Sequence, residues 1–347
     1  SSSHTDPNSL QKDVVEYNPT KFHFFGGVSR GGSIVTIRKE KLADLTDKSK
    51  PPVVVGVIDG NRSWEQMINF GAEWLNWNVR FVVGYPGTSF MVLAIRRGET
   101  DMMGTSNWQL LKEMYDTGGF VGVAQLGGGN ADDEQIEKRA EFQSVPTFNT
   151  LVEGKVSGLD KRVFEFWTAL NDIDKWYSLP PNTPPQIVKA YRDAWAKIVK
   201  DPEFIRLGKL QFSADFAPVP GEKQQQMVNI TAYPDPEITQ YMEKLKAKYG
   251  LPAQPLSDEE VAEMAKAKGL DKADVPSVKA KLMAVSAGGR DIEFTAGGAS
   301  KKLDVSSSRT SVSIAGKKTT RDQLKAGMEC EIEAMSEAKE ASGLACN

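Results

Sequence analysis

Residues 78–106, NVRFVVGYPGTSFMVLAIRRGETDMMGTS, decide the fold class of this chain. The stretch opens as a strand, with Val79, Phe81 and Val83 alternating against Arg80 and Val82, the period of a pleated backbone. Gly84-Tyr85-Pro86-Gly87 breaks that strand, and Thr88 or Ser89 stands where a helix takes its N-cap. Met91, Leu93, Ala94 and Ile95 fill the helix, Arg96 and Arg97 lie at its C-terminus, where cations suit the dipole, and Gly98 closes it. Glu99 to Met103 reads as the next strand, and Thr105-Ser106 open another helix. Strand, turn, helix and strand in this order build a parallel sheet. The turn presents backbone N–H groups at a helix start, where such folds hold anions.

The unit just upstream repeats the pattern. Val53 to Ile58 is a continuous apolar run after Pro51-Pro52, as expected of a strand buried on both faces. It leads into Asp59-Gly60-Asn61-Arg62-Ser63, and Trp64, Met67, Ile68, Gly71, Trp74 and Leu75 follow at helical spacing. Ser63 with Gln66 forms a capping-box pattern. Because the two turns belong to successive β–α units, they are expected to converge on one cleft. Ser106 to Tyr115 reads as a third helix and Phe120 to Gln125 as a strand. Gly127-Gly128-Gly129-Asn130 lacks the Lys-Ser/Thr of a phosphate-binding loop and reads as an exposed loop.

Bulk properties narrow the function classes. A chain of 347 residues forms two or three domains, and 26% charged with 40% hydrophobic residues is ordinary for a globular protein. A formal net charge of -3 without a dense basic stripe argues against a nucleic-acid partner. No apolar run is long enough to span a bilayer. No signal-peptide pattern occurs, and a chain that begins SSSHTDPNSL without Met is compatible with a leader upstream. The only histidines are His4 and His23 and the only cysteines Cys330 and Cys346, so neither a His/Cys metal site nor a Ser-His-Asp machine is expected, and no cofactor. Cys330 and Cys346 flank a polar segment, and they are either a disulfide of an oxidising compartment or two unpaired thiols. The acid pairs Asp132-Asp133 and Asp172-Asp174 have no base, nucleophile or metal partner and read as solvated surface, so no enzyme is expected.

Elsewhere, Ser1 to Gln11 is a polar arm, Asn18-Pro19 is a turn, and Phe22 to Gly27 and Ser33 to Arg38 are strands separated by Arg30-Gly31-Gly32. Arg162 to Leu179 contains mixed apolar segments anchored by Phe166, Trp167 and Trp176. Pro180 to Pro185 is a stiff connector into a helix, with Thr183 as its cap and Pro184 at the first helical position. Ile187, Val188, Tyr191, Trp195, Ile198 and Val199 carry that helix. Shorter helices are expected at Glu203 to Leu207, Glu222 to Val228 and Glu237 to Tyr249. Beyond Leu251 a Pro/Ala/Glu/Lys-rich linker carries one helix, and short strands from Val278 to Ala334 read as a small β-barrel or sandwich.

Taken in order, several of these stretches resemble the substrate-binding receptors of tripartite tricarboxylate transporters, the Bug family. They are Tyr17-Asn18-Pro19 leading into Phe22, Gly60-Asn61-Arg62-Ser63, VGYPGTSFMVLAIRRGETDMM, Val145-Pro146-Thr147 and LPPNTPPQIVKAYRDAWAKIVKDPEF. The resemblance covers about Asn8 to Leu251. It implies an α/β, type II periplasmic-binding-protein-like two-lobed fold that closes on a carboxylate-bearing solute. It also implies a periplasmic or extracellular location and a membrane permease as partner. The ligand-binding positions it implies are Gly60, Asn61, Arg62, Ser63, Tyr85, Gly87, Thr88, Thr105, Ser106 and Asn107. Arg62 departs from the small residue usual in the family.

The family's first β–α turn has no counterpart here, so an incomplete first lobe is expected. Residues 1–20 cross into the second lobe, 21–163 form it, 164–251 return to the first lobe, 252–276 are a linker with a helix, and 277–347 are a small all-β domain. Upstream residues or another protein chain would complete the first lobe. A helix-end contact to an anion contributes at most about 2 kcal/mol, whereas micromolar binding needs about 8 kcal/mol, so one lobe alone predicts weak binding. The alternative is a receptor-derived structural or assembly subunit without a high-affinity ligand.

Overall fold

The structure, a computed structural model, describes residues 17–129, 136–171, 174–232, 235–253, 277–305, 310–334, 341 and 343–347. The polar arm at Ser1 to Gln11, His4, Asn130, the Asp132-Asp133 pair, Asp172 and the linker helix lie outside the described residues. In chain order the elements are β1 (His23–Ser29), β2 (Ile34–Arg38), β3 (Val53–Val57), α1 (Ser63–Trp74), β4 (Val79–Val83), α2 (Thr88–Arg97), β5 (Met102–Thr105) and α3 (Trp108–Tyr115). Then come β6 (Phe120–Gln125), β7 (Gly128–Gly129), β8 (Ile136–Glu137), α4 (Phe148–Val152), α5 (Gly158–Asn171) and β9 (Lys175–Leu179). They are followed by α6 (Pro185–Ile198), α7 (Pro202–Gln211), β10 (Ala217–Pro220), α8 (Gly221–Thr231) and α9 (Pro236–Lys248). The remaining strands are β11 (Ser277–Val285), β12 (Asp291–Ala296), β13 (Ala299–Asp304), β14 (Ser311–Ile314), β15 (Lys317–Thr319), β16 (Glu329–Glu333) and β17 (Gly343–Cys346).

The chain divides into two compact units, one drawn from Ser1–Val156, Leu170–Ala232 and Thr239–Leu256, the other from Ser157–Ala169, Tyr233–Ile238 and Ser257–Asn347. In the first unit a five-stranded sheet runs β4-β3-β5-β2-β6. Strands β3, β4 and β5 pair in parallel, and the apolar run of β3 is buried at Val53, Val55 and Val57, as its continuity requires. The sheet is not wholly parallel. β2 pairs antiparallel with both β5 and β6, because only two short helical turns separate it from β3 and the chain reverses between them. Helix α1 lays Trp64, Met67 and Ile68 into the core, and α2 adds Met91 and Ile95. Close packing fixes Gly104 on β5: a Cβ there would come within 2.7 Å of the Trp64 side chain.

A three-stranded antiparallel sheet, β10-β1-β9, belongs to the same unit. Phe24 packs with Met227 and Val228 of α8 on one face, and Val28 packs with Trp195 of α6 and Phe216 on the other. Residues 158–171, which show no clean period in the sequence, are one continuous helix, α5.

Three caps differ from the sequence reading. Helix α1 begins at Ser63 with Arg62 at the N-cap, and Glu65 rather than Gln66 reaches back, accepting the Arg62 N–H at 3.1 Å. Helix α2 begins at Thr88 after Gly87, with no side-chain cap. Helix α6 begins at Pro185: a residue that precedes proline is kept out of the helical region, so Pro184 stays extended, and the Thr183 hydroxyl donates to the Pro180 carbonyl instead.

In the second unit, β11–β17 form one seven-stranded sheet in the order β13-β12-β11-β16-β17-β14-β15. Its alternating strands gather Leu282, Ile292, Phe294, Val305, Ile332 and Leu344 into a core of its own. Cys330 on β16 lies opposite Cys346 on β17, and a disulfide joins them. Also in this unit, Asp235 pairs with both Arg162 of α5 and Lys318 of β15, and Lys161 pairs with Asp322 at 3.4 Å. No helix among the described residues is long and apolar enough to cross a membrane.

Candidate functional site

Parallel register brings three polar turns to one edge of the five-stranded sheet. Val57 pairs with Val83 and Val55 with Met102, so β3, β4 and β5 end side by side, with β3 in the middle. The turns that leave them hold Gly60 to Ser63, Tyr85 to Thr88, and Thr105 to Asn107. Antiparallel β2 starts at the same edge, with Ile34 opposite both Thr105 and Gln125. The Ser33 and Ser63 hydroxyl oxygens lie 3.3 Å apart there, which joins the first turn to the start of β2.

In the first turn two carboxylates of the protein already occupy backbone donors. Asp59 Oδ1 accepts the Asn61 N–H at 2.9 Å, and Glu65 accepts the N–H groups of Ile58 at 2.6 Å and Arg62 at 3.1 Å. Glu65 is fully enclosed. Burial pushes its carboxyl up to about 7, and the nearby Asp59 charge adds to the rise, against the opposing pull of the two N–H groups and Arg62. The amides of Ser63 and Trp64 remain at the open first turn of α1, where no helical carbonyl reaches them. Arg62 Nε, Asn61 Oδ1 and Gln66 Nε2 are buried without a hydrogen-bond partner among the described residues. Gly60 is buried against Leu251.

The second turn extends the ladder before it opens. The N–H groups of Gly84 and Tyr85 donate to the Val57 carbonyl at 3.1 and 3.2 Å, and the Tyr85 ring lies against Gly56 of β3. Burial, then the Glu99 charge, raises the Tyr85 phenol above its ordinary value. Gly87 is the N-cap and Thr88 the first residue of α2, so the first-turn amides of that helix open at this turn.

The third turn is tied down. Thr105 and Ser106 are each 7% exposed. Thr105 Oγ1 accepts the Asn107 N–H at 3.2 Å, and Asn107 Oδ1 accepts the Gln109 N–H at 3.0 Å as the cap of α3. The Ser106 carbonyl accepts from Arg139 Nη1 at 3.1 Å.

The structure therefore gathers all three turns on one edge, with α1 against β5 through Trp64 over Gly104 and the second turn over β3 through the Tyr85 ring. It also adds Ser33, Glu65 and Arg139. Glu65 carried a signal in the sequence, an acid three residues after Arg62, whereas Ser33 and Arg139 come from segments remote in the chain. No group of three or more His, Cys, Asp or Glu suited to a metal ion occurs among the described residues.

An α/β sheet with polar turns at the carboxyl ends of adjacent parallel strands is the architecture in which ligands bind outside those ends. No family model and no curated protein matches the chain. Among solved structures it is similar to a TctC solute binding protein from Polaromonas, at 16% identity over 71% of this chain and 75% of that chain, TM-score 0.45. It is similar to a protein of R. palustris with adipate, at 17% identity over 73% of this chain and 77% of that chain, TM-score 0.49. MatC from Rhodopseudomonas palustris with bound malate is a further similar structure, at 13% identity over 70% and 75% of the two chains, TM-score 0.44.

Proposed function

We propose that this protein captures a small carboxylate-bearing solute at the shared edge of β3, β4 and β5, outside the cytoplasm, for a membrane permease of the tripartite tricarboxylate type. One observation carries the reading: two helix N-termini, α1 and α2, and the Thr105–Asn107 turn open on one edge. The donors there are first-turn amides, whichever of the mutually bonded Ser33 and Ser63 hydroxyls keeps its proton free, and the guanidinium of Arg62, whose Nε has no hydrogen-bond partner among the described residues. Such a set suits carboxylate oxygens without a metal ion. The disulfide in the second unit suits an oxidising compartment.

Thermal unfolding with millimolar di- and tricarboxylates, malate and adipate among them, tests the reading. A ligand at a hundred times its Kd stabilises by about 2.7 kcal/mol and raises the midpoint visibly. No shift across a broad acid panel counts against it.

A second reading rests on Glu65 and Asp59, which already fill donors of the first turn. On that reading the protein is a structural or assembly subunit with no high-affinity ligand, and another protein chain is its partner. Light scattering after size exclusion separates the two: a large species or a stable complex supports the second, and a clean monomer removes it.

A further inference from the structure

We propose that Arg139 is a positioning residue that orients the β5–α3 turn for ligand and ties that turn to the segment leading into β10. The ligand part of this inference rests on the receptor reading above.

Arg139 is fully enclosed, although it lies on an irregular connection between β8 and α4. Its Nη1 donates to two carbonyls at once, Gly32 and Ser106, each at 3.1 Å. Its Nη2 donates to the Phe212 carbonyl at 3.1 Å, and its Nε to Glu141 at 3.2 Å. Its backbone N–H donates to Gln125 Oε1 at 2.8 Å, and Gln125 Nε2 holds the Phe142 and Val145 carbonyls, so the base of the side chain is fixed as well. One planar fork thus joins three segments far apart in sequence: the crossover from β1 to β2, the site turn after β5, and the end of α7.

A second clamp runs alongside. Glu141 accepts the Ala214 N–H at 2.8 Å and the Ser213 hydroxyl at 3.2 Å, while Asp215 accepts the Ala140 N–H at 2.7 Å. Residues 139–141 are therefore locked to 212–215, just before β10. Gly32 is also constrained: it sits at φ 83, and a Cβ there would collide with the Gly127 carbonyl.

The link to the site is a matter of peptide geometry. A trans peptide points its carbonyl and N–H in opposite directions. With the Ser106 carbonyl anchored on Arg139, the Asn107 N–H is directed the other way, onto Thr105 Oγ1. Thr105 Oγ1 serves as acceptor in that bond, so its own proton is not used there and can donate to a ligand oxygen. Only a guanidinium spans three carbonyls and a carboxylate from one position. A lysine ammonium has three donors and no fork.

Hydrogen exchange and ligand titration on the full chain test this together. In Arg139→Lys, the amides of Asn107, Ala214 and Asp215 should exchange at least tenfold faster than in wild type, all in concert, while Val79–Arg97 changes by less than twofold. Malate or adipate, whichever binds wild type, should lose at least tenfold in affinity. Exchange that rises uniformly across the chain, or only at 139–141, overturns the proposal, as does unchanged affinity with a bound acid. If wild type binds no acid, the receptor reading falls, and the exchange pattern alone decides whether Arg139 positions the turn. Should Arg139→Lys fail to fold, Glu141→Gln serves in its place: concerted loosening of 107 and 212–215 supports the link, and loosening of 212–215 alone refutes it.

Discussion

Replacing Glu65 with glutamine should change how stability depends on pH. Glu65 is 0% exposed and burial raises its carboxyl from 4.5 to about 7. At about 1.4 kcal/mol per pH unit, that rise corresponds to about 3 kcal/mol. The sign follows from proton counting. Between pH 4.5 and 7 the unfolded chain has released a proton that the folded chain still holds, so stability falls as pH rises through that window. Below pH 4.5 the cost is absent, and above pH 7 it is present in full.

Glutamine does not titrate, so Glu65→Gln removes the slope. It also turns an NH2 group toward one of the two backbone donors, Ile58 or Arg62, which costs about 1–3 kcal/mol at every pH. The variant should therefore be less stable than wild type at pH 4.5 and match or exceed it at pH 8. Urea unfolding followed by tryptophan fluorescence at several pH values measures this, because all tryptophans except Trp167 lie in the unit that holds Glu65. Groups common to both proteins cancel in the difference. A wild-type-minus-variant difference that stays flat from pH 4.5 to 8 refutes the account of Glu65.

Other perturbations have defined outcomes. Gly104→Ala drives a methyl against Trp64 and should cost about 1–3 kcal/mol by overpacking, seen as a lower unfolding midpoint. Cys330→Ser opens a disulfide spanning 16 residues and should destabilise the second unit by about 3 kcal/mol, with wild type under reductant unfolding at the same midpoint as the variant. Arg30→Ala removes the two-pronged contact with Asp174, at 2.7–3.1 Å between half-buried side chains, and should cost about 1.5–3 kcal/mol by denaturant titration.

Much of the first unit was legible because its signals are local. The unbroken apolar run of β3, the helical spacing of Trp64, Met67 and Ile68, and the glycine that closes α2 each speak within a few residues. The antiparallel insertion of β2 between β5 and β6 was not legible, because strand order depends on pairings between residues far apart in the chain, such as Thr36 with Met103 and Arg38 with Phe120. The capping box shifted by one residue, since Ser63 and Gln66 match the pattern while Arg62 and Glu65 make the bond. Helix α5 was hidden because its buried residues Val163, Phe164, Trp167 and Leu170 are diluted by charged neighbours. Ser33 and Arg139 escaped for another reason. A serine at a strand start and an arginine in a charged loop look like solvated surface until the fold brings Ser63 and Ser106 beside them.

Backbone-amide chemical shifts during titration with malate and adipate test the central claim most directly. Ser63, Trp64, Thr88 and Asn107 should shift together and saturate at one affinity, while the strands β11–β17 stay still. Absence of saturable shifts, or shifts confined to residues away from the ends of β3, β4 and β5, would contradict it.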